Sequence, residues 1–270
     1  MDPKLEVLLV DFEKASFSSS PAYAEFYAIK RNNFFSTIQT FPDIWRSFLA
    51  LDGIWLREFE DLSSLHDPNN ALPLSLFMSA HSFARTAFEC AFTGLLNEAW
   101  NTFRMGIEAV YHACAILRNP EFAALWTKQG DGTKESDDKF NEAFTANKRR
   151  KFEELGLGKL HEWWGNYSDW GHIGSKALGS RYKFDFKPGS AHMRFEYLET
   201  KPEVLAIALL NLLLAFHELE KILRARFDDR LKLDTKLDEQ RRQFAECAEK
   251  ARRRIIERFS ESFRFLHSPE

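Results

Sequence analysis

Apolar residues recur three or four positions apart along most of the chain, which is the spacing of an amphipathic α-helix. Pro21 and Pro42 each stand where such a run begins, and proline favours the first turn of a helix. Clusters of Gly, Pro, Asn and Asp separate the runs and indicate loops. These patterns predict helices over about 21–39, 42–62, 74–92, 95–118, 120–126, 139–155, 160–170, 203–227 and 237–265.

One segment departs from the helical spacing. Apolar residues alternate there with polar ones, as in a half-buried β-strand, at Tyr182, Phe184, Phe186, Ala191, Met193, Phe195 and Tyr197. A turn centred on Pro188-Gly189 would place Phe184 opposite Met193 and put the apolar side chains on one face. A four-residue loop with the same register is the alternative, because Pro-Gly is not favoured in two-residue hairpin turns. The predicted fold class is all-α, a mostly antiparallel helical bundle with one inserted β-hairpin at about residues 181–197.

The chain of 270 residues is expected to form a single helical domain over 1–270. Its last helix, within 237–270, is highly charged and has a thin apolar stripe that includes Phe244, Ala251 and Ile255. A stripe this narrow is typical of a seam between paired helices. The last helix is therefore a candidate to protrude from the bundle, and we predict that the chain is a homo-oligomer.

Composition narrows the class of protein. The net charge of −3 shows no basic excess, so the charge does not indicate a nucleic-acid partner, although it does not exclude one. Cys90, Cys114 and Cys247 have neither disulfide nor zinc-site spacing, which favours reduced thiols and a cytoplasmic location. The apolar run 204–216 is too short to cross a bilayer, and the N-terminus shows no signal-peptide pattern, so no membrane association is expected.

The motifs of the commonest cofactor and metal sites are absent from the sequence. There is no Gly-x-x-x-x-Gly-Lys-Ser/Thr phosphate loop, no Gly-x-Gly-x-x-Gly and no His-Glu-x-x-His. No Glu is followed by His three residues later, which disfavours a di-iron carboxylate bundle. We therefore predict no cofactor and no transition-metal site.

The helix predicted over 95–118 carries a stripe of polar residues within a narrow arc: Asn97, Asn101, Arg104, Glu108 and His112. One interpretation is that these residues form the solvent-exposed face of an amphipathic helix. The other is a buried cluster whose members need partners, and the bulky neighbours Trp100 and Tyr111 support it. We predict that Arg104 and Glu108, four residues apart, form a buried or partly buried ion pair.

The preceding helix repeats this spacing with His81, Arg85 and Glu89. One interpretation is a surface salt bridge beside a close-packing face of small residues. The other interpretation places Arg85 and Glu89 across a cleft from Arg104 and Glu108. The two interpretations differ in whether the two helices share one polar site.

Two further groups of residues have alternative structural and functional interpretations. Ser168 and His172, four residues apart before a glycine-rich exit, could close a helix C-terminus or meet a ligand there. Asn211 lies in a leucine-rich run and is predicted to be buried and hydrogen-bonded, either as a core residue or within a central polar cluster. The basic runs 148–151 and 252–254 indicate solvated helix faces or, alternatively, a site for an anionic partner.

Part of the sequence resembles uncharacterised prokaryotic helical proteins that are related to the HEPN group. The resemblance is carried by Phe88, the run Gly94-Leu95-Leu96-Asn97-Glu98-Ala99, Arg104, Glu108, the run Asn119-Pro120-Glu121, Tyr167, Ser168 and His172. It implies an all-helical fold and a role in host defence or RNA cleavage. The HEPN ribonucleases use an Arg followed, after four to six residues, by a His, and no Arg here has a His at that distance. The resemblance therefore implies an inactive or differently working member.

These observations lead to a function hypothesis with two alternatives. The chain is expected to be a binding or regulatory protein of unknown ligand, in prokaryotic defence or stress. The first alternative is a HEPN-like nuclease or other hydrolase that uses Arg104, Glu108 and His172. The second is a structural dimerisation module. The candidate ligand-binding residues are Arg85, Glu89, Asn101, His112, Ser168 and Asn211.

Overall fold

A computed structural model describes residues 21–63, 67–129, 133–171, 181–187, 190–228, 231 and 235–260. The helices in this part of the chain are α1 (Pro21–Thr40), α2 (Pro42–Leu62), α3 (Pro68–Thr93), α4 (Leu96–Arg118), α5 (Phe122–Thr127), α6 (Lys134–Phe140), α7 (Lys148–Glu154), α8 (Gly158–Gly171), α9 (Pro202–Phe227) and α10 (Thr235–Arg258). The all-α class and the helical bundle are confirmed.

The helices α3 and α4 form the central pair. Two glycines, one at the end of α3 and one within α4, allow backbones to come close together. Gly94 ends α3 with φ 89°, a left-handed conformation that side chains other than glycine rarely adopt. A Cβ atom there would also lie 2.5 Å from the backbone oxygen of Glu199. Gly106 faces α3, where a Cβ atom would lie 3.3 Å from the backbone oxygen of Ala80. Both glycines therefore allow backbones to approach closely.

The start of α3 corrects the sequence interpretation, which began this helix at Leu74. Asp67 is the N-cap, and its side chain accepts a hydrogen bond from the backbone N–H of Asn69 at 3.0 Å. Pro68 then occupies the first turn, where its missing N–H is harmless. The Asp-Pro pair that looked like a loop signal is a helix start.

Aromatic side chains from several helices fill the core around α9. The rings of Trp55 on α2 and Phe216 on α9 stack at a centroid distance of 5.6 Å, and Phe48 and Phe88 lie 4.4 Å apart. Among the described residues, α9 is the one helix that is long and apolar enough to cross a bilayer, by length and composition alone. It packs on α2, α3 and α4, and Leu209, Leu212, Leu213 and Phe216 are fully buried. These are the contacts of a core helix.

The C-terminal helix α10 packs along α2, so our expectation that it protrudes is corrected for its described length. Leu237, Phe244, Ala251 and Ile255 are each at most 4% exposed within this one chain. The thin apolar stripe is buried within this chain, where α10 packs on α2 and also contacts α9, and its burial does not need a second copy. The stripe therefore no longer supports a homo-oligomer, which stays a prediction from the sequence.

The region after α4 is irregular where a continuous charged helix was predicted over about 139–155. It consists of α6, a π-helical turn (Asn141–Thr145) and α7. Asn147 interrupts it with φ 53°, in the left-handed region that Asn tolerates better than most residues. The Tyr111 hydroxyl donates to the backbone oxygen of Phe144 at 3.0 Å, and its ring stacks on Phe152 at 4.3 Å. Tyr111 thus fixes this segment to α4.

Two strands precede α9. β1 (Tyr182–Lys187) and β2 (Ser190–Phe195) pair antiparallel, with Tyr182 opposite Phe195 and Phe184 opposite Met193. Residues 188 and 189 between them lie outside the described residues. Arg181 pairs with Glu98 of α4, so the start of β1 is tied to the central helix pair.

Candidate functional site

Glu108 of α4 is the centre of a polar cluster, which we call the Glu108 cluster and which comprises Glu108, Arg104, Lys148 and Trp164. Glu108 Oε1 accepts hydrogen bonds from Lys148 Nζ at 2.7 Å and from Trp164 Nε1 at 2.9 Å, and it lies 3.5 Å from Arg104 Nη1. Lys148 Nζ also sits 4.3 Å from the centroid of the Trp164 ring. The cluster joins α4, α7 and α8.

The Glu108 cluster is partly buried, as predicted for its ion pair. The Arg104 side chain is 18% exposed and that of Glu108 is 26% exposed. Burial alone would raise the pKa of Glu108, but the hydrogen bonds and charges of Lys148, Trp164 and Arg104 more than offset it and lower that pKa. The carboxylate is therefore held ionised and engaged by several donors, which suits a structural ion pair better than a proton donor.

His112 lies one turn beyond Glu108 in an aromatic pocket. Its Nδ1 accepts a hydrogen bond from Trp126 Nε1 at 3.2 Å, and the Phe144 ring lies 4.8 Å away. Burial, reinforced by the charge of Lys148, lowers the pKa of His112 to about 4. His112 is therefore a neutral imidazole that packs and accepts, with its proton on Nε2.

The candidates on α3 face α1 and α2 and make no contact with the Glu108 cluster. Arg85 Nε and Nη2 bind the carboxylate of Asp52 on α2 at 2.6 and 2.7 Å, and His81 Nε2 lies 2.8 Å from the same carboxylate. Burial alone would raise the pKa of Asp52, but the bonds from Arg85 and His81 lower it to about 2. Glu89 is exposed and lies 3.6 Å from Lys30 of α1. The interpretation as one shared cleft is therefore wrong for Arg85 and Glu89.

The remaining candidates that the structure describes do not converge on the Glu108 cluster. Asn211 is exposed, so the prediction that it is buried is wrong; the leucine run continues past it, but its own side chain lies on the outer face of α9. Asn101 is exposed as well. The Ser168 hydroxyl donates to the backbone oxygen of Trp164 at 2.7 Å, within its own helix. His172 lies outside the described residues.

A groove that sequence reasoning missed opens beside the Glu108 cluster, between α4, α5 and the segment from α6 to α7. Its volume is about 640 Å³. The apolar part of its lining comprises Ala115, Phe122, Leu125, Ala143 and Leu155. The charged part comprises Arg118, Lys139, Glu142, Lys151 and Glu154. No local spacing identifies this groove, because its walls come from separate elements that only the irregular segment brings together.

Two cations of the groove have backbone oxygens as partners. Arg118 Nη1 donates to the backbone oxygen of Glu154 at 2.5 Å, and Lys151 Nζ donates to that of Glu142. Neither cation forms a salt bridge with a carboxylate in the described part of the chain. Burial lowers the pKa of Lys151. The groove therefore holds two positive charges that no carboxylate neutralises directly.

The other residues of the basic runs are largely neutralised. On α7, Arg149 pairs with Glu153 at 3.1 Å and Arg150 with Glu154 at 3.3 Å. On α10, Arg252 and Arg253 pair with Glu249, which they approach to 2.8 and 2.7 Å. Arg254 pairs with Asp43 of α2. The runs are thus solvated or interhelical ion pairs, which leaves Lys151 as the residue of run 148–151 that faces the groove.

No family model, no curated protein and no solved structure matches the chain. Within the described residues, no group of three or more His, Cys, Asp or Glu side chains could hold a metal ion. The resemblance to the HEPN group stays a prediction from the sequence.

Proposed function

We propose that this protein binds a small molecule in the groove between α4, α5 and the α6–α7 segment. Ligand sites are concave, mostly apolar and about 300–1,000 Å³ in volume, with a few polar groups that orient the ligand. The groove, at about 640 Å³, has this size and this mixture of apolar and charged walls. The Glu108 cluster ties α7, the helix that carries Lys151, to α4 through Lys148.

The ligand we propose has an apolar body and one anionic group. Phe122, Leu125 and Leu155 offer apolar surface to the body. Arg118 and Lys151 offer N–H donors that backbone carbonyls satisfy only in part, since each cation has several. The proposal of an anionic group rests on one observation: these two cations line the groove and form no salt bridge to a carboxylate in the described residues. A carboxylate or phosphate on the ligand would supply the missing charge.

The wall formed by the π-helical turn supports a binding role. π-Helical turns are rare and occur frequently at functional sites. Here the turn Asn141–Thr145 is followed by Asn147 in the left-handed region. The π-helical turn lines the groove through Glu142 and Ala143, so an uncommon backbone conformation forms part of its wall.

Binding in the groove is tested with a neutral dye whose fluorescence rises in apolar surroundings, such as N-phenyl-1-naphthylamine. Ala143→Trp places an indole in the groove and should abolish most of the dye binding. Ala124→Trp, on the exposed face of α5 outside the groove, is the matched control and should bind as the wild type does. Equal binding by both variants would show that the dye binds elsewhere and that the groove is not the site.

The anionic class is tested by displacement of the dye with decanoate and with decanol, which share one chain length. We expect decanoate to compete about tenfold better, which corresponds to about 1.4 kcal/mol. Lys151→Met should remove most of that preference, while Arg149→Met, an exposed residue of the same helix, should keep it. If decanol competes equally well, the ligand carries no anion, although the groove still binds.

The biological setting is proposed on separate grounds. The role in prokaryotic defence or stress and the nuclease alternative rest on the resemblance to the HEPN group. The cytoplasmic location rests on three free cysteines. The enzyme alternative would gain support from RNA cleavage by the purified protein that Glu108→Gln abolishes without loss of stability.

A further inference from the structure

Two glutamate side chains meet in the core far from the groove, and we call them the acid pair. Glu58 on α2 has a fully buried side chain, and Glu220 on α9 is 3% exposed. Arg241 of α10 reaches both, with its Nη2 at 2.7 Å from Glu58 Oε1 and its Nε at 3.8 Å from Glu220 Oε1. The acid pair therefore lies where α10 docks on the rest of the bundle.

The charges at the acid pair do not balance if both carboxyl groups are ionised. Arg241 supplies one positive charge, and it also lies 3.2 Å from Asp238, which is mostly exposed. His217 approaches Glu220 Oε2 to 4.0 Å, but burial lowers the pKa of His217 to about 4, so it is neutral at pH 7. One buried negative charge would remain, and an uncompensated buried charge is usually removed by protonation.

The hydrogen-bonding pattern leaves room for that proton. Glu58 Oε2 and Glu220 Oε1 are buried and have no hydrogen-bond partner in the described part of the chain. Two carboxyl groups that share one proton need one fewer donor from their surroundings and carry one negative charge in total. That single charge is the one that Arg241 balances.

We propose that Glu58 and Glu220 hold one shared proton at neutral pH, and that this proton is a condition for the docking of α10 on α2 and α9. Burial and the neighbouring Glu220 raise the pKa of Glu58 to about 9, in agreement with this geometry. The acid pair acts as a pH-sensitive clamp. Loss of the proton leaves two carboxylates against one guanidinium and weakens the contact that α10 makes.

The expected pH dependence has a definite sign. Between the ordinary Glu pKa of 4.5 and about 9, the folded chain keeps a proton that the unfolded chain has lost. Stability therefore falls as pH rises through this range, by at most tenfold in the folding constant per pH unit. The other charged or titratable groups on the three helices that form the pair include Arg57 and Asp61 on α2, His217, Glu218 and Lys221 on α9, and Asp238 on α10. His217 titrates below pH 7 and therefore contributes little between pH 7 and 8.5. The pKa values of Cys90 and Cys114 are raised from 9.0 by burial, so these thiols act in the same direction as the acid pair, and the comparison with Glu58→Gln separates the two effects.

Hydrogen exchange by mass spectrometry on the full chain tests the clamp. The protection of α10, corrected for the intrinsic pH dependence of exchange, should fall about tenfold per pH unit between pH 7 and 8.5 in the wild type. Glu58→Gln replaces the protonated carboxyl by a neutral amide of the same shape and should remove this fall. Glu60→Gln, on the exposed face of α2, is the matched control and should behave as the wild type.

A second measurement uses the wild-type protein alone, so it does not depend on whether a variant folds. The infrared band of a protonated carboxyl group should be present in wild-type protein at pH 7 and disappear on titration to pH 10. The absence of that band at pH 7 would overturn the proposal. So would an equal loss of α10 protection in the wild type and in Glu58→Gln, because the alkaline effect would then arise from another group.

Discussion

The Glu108 cluster and the acid pair are built from the same kinds of charged residue in opposite proportions. In the Glu108 cluster, one carboxylate is contacted by Lys148, Arg104 and the Trp164 N–H. In the acid pair, two carboxyl groups contact the single guanidinium of Arg241. The pKa of Glu108 is lowered and that of Glu58 is raised to about 9. Burial raises the pKa at both sites. At Glu108 the three donors more than offset burial, whereas at Glu58 the neighbouring Glu220 adds to it and the bond from Arg241 does not offset both.

The two clusters also differ in what they join. The Glu108 cluster ties α4 to α7 and α8 beside an open groove, and it is partly exposed. The acid pair ties α2 and α9 to α10 within the core. Changes at the acid pair should therefore act mainly on stability, and changes near the Glu108 cluster should act on stability less and on the groove more. Four experiments separate these effects.

Removal of Arg241 should have the largest effect. Arg241→Met leaves the acid pair without its cation, and breaking a buried pair costs about 3–5 kcal/mol. Arg242→Met removes an exposed pair with Glu239 and should cost about 0–1 kcal/mol. Urea unfolding at pH 7.5 measures both. Equal losses in the two variants would show that the acid pair is not a buried charge centre.

Glu108→Ala should cost less, about 1–3 kcal/mol. It leaves Lys148 and the Trp164 N–H with one fewer acceptor, and both groups are only partly buried, so water can replace some of the lost bonds. Thermal melting measures the effect, with Glu153→Ala on the exposed face of α7 as the control. A loss as large as that of Arg241→Met would remove the contrast between the two clusters.

His112 should produce an acid-side effect of about 1.4 kcal/mol per pH unit. Its pKa is about 4 in the folded chain and 6.5 when unperturbed, so the unfolded chain takes up a proton first as pH falls below 6.5. The stability contributed by neutral His112 is present above pH 6.5 and is lost as pH falls from 6.5 towards 4. His112→Asn keeps an acceptor for Trp126 and should flatten the slope of stability between pH 6.5 and 5.5. An unchanged slope would assign the acid effect to other groups, among them His217, whose pKa is lowered in the same direction.

Glu89→Gln should have the smallest effect, below about 0.5 kcal/mol. Its side chain is 63% exposed and its contact with Lys30 is 3.6 Å long, so the pair is weak and screened by water. Chemical unfolding checks this value. A loss above 1 kcal/mol would mean that exposure does not separate weak pairs from strong ones in this protein.

Local chemistry accounts for the helices but not for the partners of their polar residues. The spacing of apolar residues predicted α4 over 95–118 and α9 over 203–227, close to the observed Leu96–Arg118 and Pro202–Phe227. The spacing also indicated the Arg104–Glu108 pair, because residues four apart on a helix are neighbours. Lys148 and Trp164, which complete the cluster, lie 40 and 56 positions from Glu108 and carried no local signal.

Exposure within a helix was decided by packing rather than by pattern. Asn211 sits in a leucine-rich run, yet it faces outward because α9 is covered on some sides only. The thin stripe of α10 suggested a partner helix, but it is buried within the chain, where α10 packs on α2 and also contacts α9. A one-dimensional pattern shows which face of a helix is apolar and does not show which surface covers that face.

Residue spacing along the chain therefore specified the helical class, most helix positions and the Arg104–Glu108 ion pair, because these depend on neighbours three or four positions apart. The tertiary structure decided the groove, the direction of Arg85 towards Asp52 and the acid pair. Glu58 and Arg241 are 183 positions apart. Their meeting, and the proton that we propose it retains, depends on how α2, α9 and α10 pack, since burial and charge balance exist only once the helices have assembled.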